Sequence, residues 1–184
     1  MANALLPPPL PPVEGLHPII VHFPIGVLMF APAFLLLSMV LRSRTREFML
    51  AFLITMAAGT IGLFAATWSG EAGEAAAKVV PGTAAVLDRH EELAELARNL
   101  FAGVTVVAGV LTLIFWVRGE KLARPLRFGG GLAMLLLFIG PMLVLANAAH
   151  EGGRLVHEFG VRAPIAVKGG SAAPVAPVRR DDDD

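Results

Sequence analysis

Four apolar runs, at residues 19–41, 48–68, 100–117 and 128–149, decide what this chain can become. Each approaches the roughly 20 residues that an α-helix needs to cross about 30 Å of hydrocarbon. In lipid a helix must satisfy its backbone groups internally, so runs of this length read as spans. The polar residues left over are too few for a water-facing shell: of 184 residues 55% are hydrophobic and 16% charged, and the mean hydropathy is +0.68. The expected fold class is all-α, an integral membrane four-helix bundle of up-down-up-down topology. A soluble enzyme, a secreted disulfide scaffold and a nucleic-acid-binding module are excluded. With no cysteine there is no disulfide, thiolate ligand, iron–sulfur cluster or thioether-attached haem.

The connections set the expected orientation. The first and third carry seven basic residues against two acidic ones, and the rest of the chain carries eight against thirteen. Basic loops stay cytoplasmic, so both termini and the long second connection are expected on the non-cytoplasmic side of a bacterial inner membrane, with Trp68 and Trp116 at its two interfaces. The third helix is expected to start well before its apolar run, because Leu87, Leu93, Leu96 and Leu100 recur at helical spacing among Asp88, Glu91, Glu92 and Glu95. Residues 1–16 form a Pro-rich segment with no basic n-region, read as an extended lead-in rather than a signal peptide. The transmembrane domain is placed at 17–161, and 162–184 is a Gly/Ala/Pro-rich tail ending in four Asp, expected to be disordered. No internal repeat recurs at a fixed period, although the two helical hairpins are loosely related.

The five histidines all fall on the expected outer side. His17 and His22 lie at the start of helix one, His90 on the extension of helix three, His150 at the end of helix four, and His157 seven residues later. With Pro18 as the first residue of helix one, His22 sits about 6 Å into it. Small residues share the histidine faces: Gly26 and Ala33 beyond His22, Ala94 and Ala97 beyond His90, Ala146 before His150, and Ala58, Gly62 and Ala66 on helix two. A flat cofactor between helices needs such room, and neutral imidazoles from facing helices bind b-type haem. Arg154, with Lys78, Arg89 and Arg98, stands on the same side to meet haem propionates. Small-residue faces also serve plain helix packing, and a histidine at a helix end can simply cap it. Three or four imidazoles with Glu91 or Glu151 would instead suit Cu or Zn. None of the four runs carries an acid, which disfavours ion transport, and the chain shows no nucleophile elbow, phosphate-binding loop or HExxH pair. Gly129, Gly130 and Gly131 lack the Lys-Ser/Thr of a phosphate loop and read as close packing.

The stretch from Leu16 to Gly26, LHPIIVHFPIG, resembles the opening signature of an uncharacterised family of bacterial four-helix membrane proteins, a domain of unknown function. The run from Gly152 to Val161 and the His at position 90 are similar as well, so the resemblance spans residues 16 to about 161. It implies membrane electron transfer beside c-type cytochrome modules, with His17, His22, His90 and His150 at matching positions. His157 stands where that pattern has Tyr, and Arg162 where it has Gly. The combined expectation is a protein of one or two b-type haems, a small non-enzymatic subunit of a respiratory or photosynthetic complex that touches membrane lipids and binds no nucleic acid. His22, paired with His150 or His90, is the expected ligand, and His17, Gly26 and Arg154 complete the expected site. Alternatives are a Cu or Zn protein and a cofactor-free structural subunit.

Overall fold

The structure, a computed structural model, describes residues 11–118 and 123–163. The two expected terminal segments fall largely outside those bounds. Five α-helices follow in order: α1 (Val13–Ile20), α2 (His22–Val40), α3 (Thr45–Lys78), α4 (Ala84–Arg118) and α5 (Arg124–His157), with a 3-10 turn at Arg42–Arg44. Among the described residues there is no strand, and four helical stretches are long and apolar enough to span a membrane. The chain is an all-α membrane protein in which α1 and α2 together make the first span.

Three boundaries differ from the sequence reading. Helix one begins at Val13 rather than Pro18 and breaks at Val21. Pro24 has no N–H to give the Ile20 carbonyl, so the ladder is interrupted there. Helix two runs ten residues past Trp68, through Gly70 and Gly73 to Lys78, because Ala75, Ala76 and Ala77 are strong helix formers and Glu74 pairs with Lys78 one turn on. Helix four continues past Ala149 to His157, where Arg154 bridges Glu151 and Glu158. The early start of helix three, at Ala84, is as the leucine spacing predicts.

The two hairpins, α1–α2–α3 and α4–α5, bury the same positions. On α2, Pro24, Leu28, Ala31 and Leu35 are buried, and 73 residues later so are Ala97, Phe101, Val104 and Ala108 on α4. On α3, Met49, Phe52, Met56, Gly59, Leu63 and Ala66 are buried, and 82 residues later so are Gly131, Met134, Phe138, Pro141, Leu145 and Ala148 on α5. The core thus comes from two copies of one pattern, with Phe101 and Phe138 edge to face at 5.6 Å. Large apolar side chains such as Phe30, Ile61, Val106 and Leu143 point outward, as a lipid solvent allows. A small second core of Ala77, Val86, Leu87 and Leu155, with Phe159 and Val161 against it, closes the end where the helices extend furthest.

Candidate functional site

The same two offsets carry the site. His17 on α1 and His90 on α4 are 73 residues apart, and their hydrogen-bond acceptors, the carbonyls of Ala66 on α3 and Ala148 on α5, are 82 apart. Nδ1 of His17 lies 2.9 Å from the Ala66 oxygen and 3.2 Å from Ser69 Oγ, and Nδ1 of His90 lies 2.8 Å from the Ala148 oxygen. A carbonyl can only accept, so both rings carry a proton on Nδ1, and in a neutral imidazole that leaves Nε2 as the nitrogen able to ligate. That arrangement fixes an imidazole for ligation.

One helical turn beyond each acceptor is a glycine. A Cβ at Gly70 would meet His17 Cε1 at 3.2 Å, and one at Gly152 would meet His90 Cε1 at 3.0 Å. The missing side chains let each ring lie against its neighbouring helix. The ring centres of His17 and His90 are 6.3 Å apart with planes at 85°. Two imidazoles on opposite sides of one metal ion, at about 2 Å per metal–nitrogen bond and ~1.1 Å from ring nitrogen to ring centre, bring their centres about 6 Å apart. The separation of the ring centres suits a metal ion or haem iron that His17 and His90 would hold together.

Both histidines line a cavity of about 960 Å³ between the hairpins. Its walls repeat as well: Leu63, Ala66 and Gly70 on α3 answer Leu145, Ala148 and Gly152 on α5. His22 and His157 also line it, although both are largely exposed, and Nδ1 of His22 donates to the Pro18 carbonyl across the break between α1 and α2. His150 does not line the cavity; it occupies the place in α5 that Trp68 holds in α3, and both are exposed. Gly26 faces open space and Arg154 is held by Glu151 and Glu158, so neither reaches the cavity wall.

Acidic side chains stand around the space, Glu14, Glu71, Glu74 and Glu91 among them. The basic residues expected to meet propionates are in ion pairs: Lys78 with Glu74, Arg89 with Glu92 at 3.5 Å, and Arg98 with Glu95 at 3.7 Å. Arg162, where the family pattern has Gly, does line the cavity. Among the described residues no three His or carboxylate groups converge as a metal cage. Ser69, whose side chain is buried beside His17, is not legible from sequence, and neither are the carbonyls of Ala66 and Ala148, because backbone acceptors leave no trace in residue identity.

A family model described as "Predicted membrane protein (DUF2231)" matches residues 14–164. The chain belongs to that family. No curated protein and no solved structure matches it.

Proposed function

We propose that this member of the family holds a b-type haem between His17 and His90 and passes electrons near the outer face of a bacterial inner membrane, as a small subunit of a larger respiratory or photosynthetic assembly. The observation that carries the reading is the pair itself: two imidazoles with Nδ1 engaged and Nε2 free, 6.3 Å apart, one from each hairpin. The volume of the cavity, about 960 Å³, suits a large flat group better than a single ion. His17 and His90 would hold the haem, which would supply one-electron redox chemistry there. The chain's own part is to hold both rings by backbone carbonyls and to keep apolar walls such as Leu63 and Leu145 around them. The basic connections support an orientation with both termini outside, which puts the histidines within reach of a c-type cytochrome.

The acidic walls favour a second reading, a Cu or Zn site on the same two imidazoles, since they would draw in a cation. A reduced-minus-oxidised visible spectrum of detergent-purified protein, with metal analysis of the same sample, decides between them. The haem reading expects a b-type α-band and one iron per chain, with His17→Ala and His90→Ala each abolishing the band while His150→Ala keeps it. A flat spectrum from folded protein supplied with haem defeats it, and bound Cu or Zn would then support the second reading.

A further inference from the structure

At the end of the bundle opposite the histidines, a cavity of about 260 Å³ lies between the two hairpins. Arg42, from the turn before α3, and Arg127 of α5 supply its basic groups. Met39, Phe115, Phe128 and Gly131 supply its apolar wall. The hydroxyls beside it are already committed: Thr45 Oγ1 donates to the carbonyls of Ser38 and Arg42, and Ser38 Oγ donates to the Leu35 carbonyl. Two arginines therefore line this largely apolar space, and among the described residues neither is ion-paired. Val40 and Phe128, which also line the space, are 74% and 59% exposed on the outside of the bundle, so it communicates with the lipid-facing surface.

We infer that this cavity is a binding site for an anionic phospholipid, its phosphodiester held by Arg42 and Arg127 and an acyl chain lying along Met39, Phe115 and Phe128. A guanidinium offers paired donors that match phosphate oxygens, and basic pockets between transmembrane helices are where anionic headgroups bind. Free phosphate shares the headgroup chemistry but has no use for the apolar wall. Because Arg42 belongs to one hairpin and Arg127 to the other, one lipid ties the two together at the end where they share no histidine pair. The inference is independent of what the histidines bind.

The test is native mass spectrometry and thermal unfolding of the full chain in detergent, with phosphatidylglycerol, phosphatidylcholine or inorganic phosphate added. Phosphatidylglycerol is expected to bind and raise Tm, while the other two leave it unchanged. Losing two arginines in Arg42→Gln/Arg127→Gln should weaken phosphatidylglycerol binding roughly 30-fold, and the Lys/Lys variant should recover part of it. If the Gln variant fails to fold, a salt titration of the unaltered chain decides, because headgroup-driven binding weakens with salt and acyl-driven binding does not. Equal binding of phosphatidylcholine, undiminished binding by the folded Gln variant, salt-independent binding, or equal stabilisation by phosphate alone would each overturn the assignment.

Discussion

The two hairpins bury the same pattern and hold the same histidine–carbonyl–glycine arrangement, yet they differ beside it. Where α3 has Ser69 against the His17 ring, α5 has Glu151 turned to Arg154. Where α2 has His22, α4 has Glu95, and where α3 has Trp68, α5 has His150. The shared positions build the core and the settings of the two rings, several of them against their own hairpin, as Gly59 against Leu28 and Gly70 against His17, whereas His22, Glu95, Trp68 and His150 are exposed. The comparison separates what builds the pair from what surrounds it: of five histidines on one side of the sequence, the fold duplicates the setting of two.

The sharpest break of that equivalence should come in the core. Leu28 and Phe101 hold matching positions and neither is exposed at all. Removing either side chain leaves a cavity in a packed interior, so Phe101→Ala is expected to cost about 3–5 kcal/mol and Leu28→Ala about 2–5 kcal/mol, read from reversible unfolding in detergent. A loss confined to one of the two would mean that the hairpins do not share their core equally. The aromatic contact between Phe101 and Phe138 places the larger effect on α4.

The glycines test the site at smaller scale. Gly70→Ala and Gly152→Ala each put a methyl group against a histidine ring, and each is expected to destabilise by about 1 kcal/mol net, the crowding outweighing alanine's better helix propensity. Nitrogen NMR of the rings should show the Nδ1 bond weakened in both, more at His90, where the approach is 3.0 Å against 3.2 Å. Gly26→Ala, with nothing within 4 Å of the added carbon, should be neutral or stabilising. If all three variants behaved alike, close approach to the rings would not be the reason for glycine.

The smallest effect concerns a feature of one hairpin only. The guanidinium of Arg154 holds the Glu158 carboxyl below its ordinary range, and the corresponding place in α3 is Ala76. A lowered carboxyl contributes its stabilisation at neutral pH and loses it as pH falls through the lowered value, below the usual ~4.3. Amide exchange in the last turn of α5 should therefore quicken under acid, with no matching change at the end of α3. Because the pair is exposed, high salt should mask much of the difference.

The four spans were legible from apolar runs of the right length, and the early start of α4 from leucines at helical spacing, because both signals are carried by residue identity. The extensions of α3 and α5 were not, since Gly70, Gly73, Gly152 and Gly153 look like helix ends to a reading of local preference. In the fold Gly70 and Gly152 sit mid-helix, where a neighbouring ring needs the space. The histidines stand out as a group, but nothing in their spacing along the chain singles out His17 and His90. What selects His17 and His90 is their match to carbonyls 49 and 58 residues away, a property of packing. No single period aligns the two hairpins because their offsets, 73 and 82, differ: nine extra residues stand between the matched helical positions of the second copy, most of them lengthening the end of α4 and the start of α5.

The unequal offsets bear on how such a chain could arise. Every part of the His17–His90 pair is supplied once per hairpin, so a half-length ancestor would already have carried a complete half-site and needed only a second copy of itself to close it. Gene fusion would then have freed the two halves to diverge wherever the pair does not constrain them, and the extra residues lengthened α4 and α5 at the end farthest from the histidines.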